Sequence, residues 1–196
     1  MVSASPHLNI EKKPGHSLLR LQSEDGTNRL TRSCVLDLTR TIEALAPTSR
    51  PLIITGNHKF FSAGADLVEI AALTPHEAYA FSRMGQELMR AVEHFPAPVY
   101  AAIHGYCMGG GLDLALACHR RIASPQAVFG HRAAALGLIT GWGGTQRLPR
   151  LIGKAKALEI VAAAEKVSAT DALRLGLVDC VSDDPVATSV LRAETV

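Results

Sequence analysis

Hydrophobic and polar positions along the chain follow two periods, one of strands and one of helices. SLLRLQ (17–22) alternates as a half-buried strand does, and GTN (26–28) after it is a turn signal. From Thr31 to Leu45, apolar residues fall at Val35, Leu38, Ile42 and Leu45, the spacing of one helix face. PLIITG (51–56) is short, β-branched and closed by glycine, which predicts a buried strand. A loop with Phe60, Phe61 and SAGAD (62–66) comes next. Thr74-Pro75-His76-Glu77 is a capping box with proline at the first helical position, so a helix opens there and runs to about His94. PVYAAIHG (98–105) is a second buried strand that feeds the glycine cluster GGG (109–111). LDLALACH (112–119) then reads as a buried helix, apolar all round except at Asp113. RIAS and AVFG predict short strands, GWGGTQRLPRLIG (141–153) a polar, glycine-rich turn, and KAKALEIVAAAE (154–165) a helix. Ser168 caps a further short helix, and LVDCV (177–181) predicts a closing strand.

Strands alternate with helices throughout, which indicates an α/β fold with parallel crossovers. No internal repeat or low-complexity linker interrupts the pattern, so one domain is expected over residues 1–182, followed by a polar tail over 183–196. A chain of 196 residues, 47% hydrophobic, can close one substantial core. The net charge of +2 is scattered, which argues against nucleic acid as a partner, because phosphate binding needs a concentrated basic footprint. Apolar runs fall short of the roughly eighteen residues of a membrane span. The N-terminal MVSASPHLNIEKKPGH lacks the apolar middle of a secretory signal. Cys34, Cys107, Cys118 and Cys180 have neither metal-ligand nor disulfide-scaffold spacing and read as buried thiols of a reducing compartment. A cytoplasmic protein is expected.

Two junctions carry chemical promise. At each, a buried strand runs into a glycine-rich bend and a helix follows. Glycine lets a ligand approach the backbone, and N–H groups at a helix start carry partial positive charge. Two such donors converging on one oxygen would stabilise a carbonyl that becomes negative during reaction. Ala65 in SAGAD and Gly110 before Asp113 are the candidate donors. The same glycines also serve as plain turns, and the pattern alone leaves both readings open. Phosphate-loop patterns and the GxSxG serine elbow are absent from both junctions.

PLIITGNHKFFSAGADLVEI and PVYAAIHGYCMGGGLDLALACHRRIASPQAVFG resemble the two signature stretches of the enoyl-CoA hydratase/isomerase, or crotonase, family. GWGGTQRLPRLIGKAKALEIV and SATDALRLGLVDCV extend the resemblance over roughly residues 10–182. It implies a crotonase-like ββα spiral, assembled as a homo-oligomer (trimer or hexamer). It also implies an acyl-CoA thioester ligand, with coenzyme A entering as part of the substrate and no separate cofactor or metal. Ala65 and Gly110 match the family's oxyanion-hole amides. Asn28, Arg29 and Leu30, and Ser62, Ala63, Gly64 and Asp66, match segments that line the CoA site, and Gly109 adjoins them. Asp66 itself reads as a structural loop residue rather than a catalyst. Hydration or double-bond isomerisation is the implied chemistry. Non-catalytic acyl-CoA binding, thioester hydrolysis and decarboxylation are the alternatives.

The chain departs from the family at the acids. Family hydratases use two glutamates; their positions here are Asp113 and Ala133. A shift on the order of 1 Å can cost about a hundredfold in rate, and a lost general acid or base roughly a hundred- to ten-thousandfold. Dienoyl-CoA isomerases resemble the chain at Asp113 but carry acids at the positions of Ala133 and Gly141. As a first-turn acid Asp113 would add only about 0.3–1 kcal/mol. An otherwise apolar helix is a poor place for an idle charge, which favours an acid/base role with a raised pKa. His131, Arg132, Thr140 and Trp142 fall in the stretch that faces the acyl group in the family. Of these His131 alone has an intrinsic pKa near neutrality, although a histidine after a strand is more commonly structural. Arg132 could pair with Asp113 or with an acidic acyl tail, and Trp142 reads as packing. His104 and His119 read as structural, and no base near Cys107 would activate its thiol. Family members usually continue past the last strand with a helical segment, which is expected to be largely absent here.

Overall fold

The computed structural model describes residues 5–195. The N-terminal stretch read above for a secretory signal falls partly on residues 1–4, outside the described residues.

β1 (Leu8–Lys12) and β2 (Ser17–Leu21) form an antiparallel hairpin, and β3 (Arg29–Leu30) leads into α1 (Arg32–Leu45). Thr31 caps that helix by accepting the Cys34 N–H, and the periodic face Val35, Leu38, Ile42 and Leu45 is buried. β4 (Leu52–Thr55), β5 (Phe60–Ser62) and β6 (Gly64–Ala65) then lead to α2 (Leu67–Ala71) and α3 (Pro75–Glu93). The capping box of α3 forms as expected, with Thr74 and Glu77 bonding each other's backbone. β7 (Val99–Ile103), β8 (Tyr106–Met108) and α4 (Gly110–Ala117) repeat the same order, and β9 (Arg120–Ala123) and β10 (Val128–Gly130) begin it again. A 3₁₀ turn at Arg132–Leu136 precedes α5 (Gly144–Ile152) and α6 (Lys154–Ala163). β11 (Val167–Ser168), α7 (Ala169–Leu175), β12 (Cys180–Val181) and α8 (Pro185–Glu194) complete the chain.

Two sheets advance in step. The larger has the order β1-β2-β4-β7-β9-β12 and the smaller β11-β10-β8-β5. From β2 onward the larger sheet is parallel, as is β5-β8-β10. Each turn of the chain places one strand in the large sheet (β4, β7, β9) and the next in the small one (β5, β8, β10). This is the ββα spiral expected from the resemblance.

Three expectations are corrected. The stretch 141–153 is not a turn throughout, because Gly144–Ile152 is helical with Pro149 inside it. LVDCV pairs as a strand only at Cys180–Val181, while Leu177 and Val178 are buried in the main core. The stretch expected as a polar tail is helical over Pro185–Glu194, which forms α8, capped by Asp184 accepting the Ala187 N–H at 2.9 Å. Pro185, Ser189 and Ala193 lie one turn apart on its buried side. Ala193, with the half-buried Val186 and Val190, packs against Leu18, Ile53, Tyr100, Ala102 and Ile122 on the large sheet. Among the described residues, no helix is long and apolar enough to cross a membrane.

Candidate functional site

β5, β8 and β10 are neighbouring parallel strands, so the segments that follow them leave from one edge of the small sheet. Parallel sheets gather ligand sites at the carboxyl ends of their strands for this reason. β5 delivers Gly64 and Ala65, β8 delivers Gly109 and Gly110, and β10 delivers His131. Glycine is required where two of these segments touch. A Cβ on Gly64 would lie 2.6 Å from the Met108 carbonyl oxygen and 3.1 Å from the Gly110 nitrogen. A Cβ on Gly110 would lie 3.2 Å from the Ala65 nitrogen. Gly64 and Gly109 also hold φ of 96° and 49°, where other residues are strained. The Gly110 N–H belongs to the first turn of α4, which has no intrahelical acceptor for it and forms the positive end of the helix dipole.

Ala65 and Gly110 both line a cavity of about 360 Å³. Leu67, Ile70, Leu73, Phe81, Leu138 and Ile139 make much of its wall, and Asp113, His131 and Thr140 give it a polar end.

Asp113 sits one turn into α4, only 2% exposed. Burial pushes its carboxyl up to about 7, against lowering by the Thr140 hydroxyl, the Arg147 charge and the Gly144 N–H. Thr140 donates its hydroxyl to Oδ2. Oδ1 faces the Nε2 of His131 at 3.5 Å and lacks a hydrogen bond to a protein side chain. His131 is 1% exposed, both its ring nitrogens lack protein partners, and burial lowers its pKa to about 4. The two side chains close over Gly144, where a Cβ would meet Oδ1 at 2.3 Å and Nε2 at 2.6 Å. Arg147 ties this corner to α3, with one nitrogen 2.6 Å from Glu93 and another donating to the Trp142 carbonyl.

Of the residues singled out in the sequence, Ala63, Gly64, Ala65, Gly109, Gly110, Asp113, His131, Arg132, Thr140 and Trp142 all reach the cavity, as does Ala133. The other five do not line it. Leu30 is wholly buried in the hydrophobic core, because β3 pairs with β6 and turns its apolar residue inward. Asn28 is buried as a loop clamp, donating Nδ2 to the Phe60 and Phe61 carbonyls at 3.0 and 3.3 Å. Ser62 is buried too, donating to the Asn28 carbonyl at 2.7 Å and accepting the Gly64 N–H at 3.0 Å. Arg29 is exposed beside Asp25, and Asp66 caps α2 by accepting the Val68 and Glu69 N–H groups. The sequence reading missed Gly144 and Arg147, whose signal was a helix starting inside GWGGTQRLPR, and the apolar wall from α2 and α3. His119 is structural, its Nδ1 accepting the Val99 N–H at 2.9 Å. Cys34, Cys107 and Cys118 are buried and Cys180 half-buried, all free thiols, and burial holds the Cys107 thiol well above its usual range.

The sequence matches the family described as enoyl-CoA hydratase/isomerase over residues 11–194. A Bacillus subtilis protein named probable enoyl-CoA hydratase is 49% identical over 136 residues. That match takes in 69% of this chain and 53% of the relative, so the chain spans about half of that relative's length. A crotonyl-CoA hydratase of Syntrophomonas wolfei is 37% identical over 90% of this chain and 69% of its own. The structure of DspI from Pseudomonas aeruginosa superposes with a TM-score of 0.93 at 37% identity, covering 97% of this chain and 80% of that one.

Proposed function

Because this chain belongs to the enoyl-CoA hydratase/isomerase family and has the crotonase fold, we propose that it binds an acyl-CoA thioester and carries out enolate-type chemistry on it, by hydration or double-bond isomerisation. One observation carries the reading. Ala65 and Gly110 lie side by side on the wall of an apolar cavity, with the Asp113 carboxyl one helical turn further in.

In this reading the thioester oxygen accepts the Ala65 and Gly110 N–H groups, and the acyl chain lies along Leu67, Ile70, Phe81 and Ile139. Charge that collects on the oxygen as C2 gains or loses a proton meets donors already in place, which is worth several kcal/mol at such sites. Asp113 carries the proton to or from C2, a task suited to a group titrating near neutrality. The reading needs no group beyond the coenzyme A of the substrate, and it places the protein in a homo-oligomer. The test compares wild type with Asp113→Ala on short- and medium-chain 2-enoyl-CoAs. Loss of roughly a hundred- to ten-thousandfold in kcat is expected. Equal rates in the two proteins would remove Asp113 from the reaction.

A further inference from the structure

The polar end of the cavity holds a second titratable side chain beside Asp113. Asp113 Oδ1 and His131 Nε2 are buried, without a side-chain hydrogen bond, 3.5 Å apart and both on the cavity wall. A buried polar atom left without a bond costs about 1–3 kcal/mol, so three such atoms on two touching side chains mark a place built for a polar ligand. A water oxygen at about 2.8 Å from each of Oδ1 and Nε2 completes a triangle on their 3.5 Å base. Ala133, two residues beyond His131, lines the cavity but offers no proton-transfer group.

We propose that His131 is the second proton-transfer group of this site and, with Asp113, holds the water that adds to C3 of a 2-enoyl thioester. The proposal rests on the acyl-CoA reading above and narrows it to hydration. Asp113 begins protonated and His131 neutral. The water oxygen bonds to C3 as its proton passes to Nε2, the C2–C3 π pair shifts to C1–C2, and the carbonyl π pair moves onto the thioester oxygen, held by the Ala65 and Gly110 amides. The enolate collapses as the Asp113 O–H proton bonds to C2. Asp113 is now a carboxylate beside an imidazolium, and the proton on Nε2 crosses to Oδ1. One water has been added and both side chains have regained their starting forms. Burial favours that starting state, holding His131 neutral and Asp113 protonated below about 7. Arg147 on α5 is the other charge felt by Asp113, and it assists the carboxylate stage.

Two activities of the full chain separate this role from the general reading: hydration of crotonyl-CoA, and exchange of C2 deuterium into a saturated acyl-CoA in heavy water. Exchange needs the amides and Asp113, whereas hydration also needs His131. In His131→Gln, hydration kcat is expected to fall about a hundredfold with KM changed less than about threefold, while exchange falls less than about tenfold. In His131→Ala, added imidazole is expected to restore part of the hydration, which a merely structural histidine would not allow. Hydration within about threefold of wild type in His131→Gln, or equal losses of hydration and exchange without imidazole rescue, overturns the role of His131. A wild-type protein that neither hydrates nor exchanges overturns the reading of enolate-type chemistry on which the proposal rests.

Discussion

The indole of Trp142 seats in the notch left by Gly85 on α3, where a Cβ on that glycine would meet the indole Nε1 at 2.1 Å. Its other edge underlies Gly110, where a Cβ would meet Cζ3 at 2.5 Å. The Nε1–H donates to the Phe81 carbonyl at 3.3 Å, so one side chain braces α3 against the first turn of α4, which carries the candidate Gly110 amide. Gly85→Ala forces the ring towards Gly110. Overpacking of this kind costs about 1–3 kcal/mol. A lower urea midpoint together with a raised KM for acyl-CoA is expected, and an unchanged KM would show that the indole does not position the amide.

Asp113 sets a pH slope on stability. Its folded pKa, about 7, lies above the unfolded value near 4, so the folded chain keeps a proton the unfolded one has lost. That contribution makes stability fall as pH rises from about 4 to about 7. His131 acts oppositely: its folded pKa of about 4 lies below the ordinary 6.5, so its contribution rises with pH across that interval. Asp113→Asn removes only the falling slope. The variant should gain on wild type as pH increases, by up to roughly 4 kcal/mol for the full shift, with the gain level above about pH 7. Thermal melts at pH 5 and pH 8 check this, and an equal difference at both would contradict it.

The same two groups bound the activity. Hydration needs Asp113 protonated and His131 neutral, so kcat/KM should decline above about pH 7 and again below about pH 4. A rate that climbs steadily from pH 6 to pH 9 would contradict the assignment.

Asn28 supports the site without touching it. It holds φ of 52°, and its Nδ2 clamps the Phe60 and Phe61 carbonyls. Its own carbonyl receives the Ser62 hydroxyl, which in turn accepts the Gly64 N–H beside Ala65. Asn28→Ala removes both bonds, leaving the Phe60 carbonyl with the Asn57 N–H at 2.9 Å, and should cost about 2–4 kcal/mol. Asn28→Gly relieves the backbone but not the lost bonds, and should fall between the variant and wild type in denaturant titrations.

Elements with a strong local period are legible in the sequence. Helices α1 and α3 announce themselves by apolar spacing and caps, β4 by a β-branched run and β7 by a short apolar one. The glycine junctions and the lone Asp113 on an apolar helix pointed to the site. β5 and β8 were harder, because strands of three residues have too few positions to show a period, and their stability comes from ladder partners distant in the chain.

The amino-acid order by itself thus determined which segments are amphipathic, where helices begin, and which residues could do chemistry. Only the tertiary structure decided that Ala65, Gly110 and His131 leave from one sheet edge, that His131 meets Asp113, that Leu30 and Asn28 turn inward, and that residues 185–194 pack as a helix on the large sheet. Local periodicity reports how one element divides solvent from core. It carries no information about which residues parallel pairing brings within bonding distance.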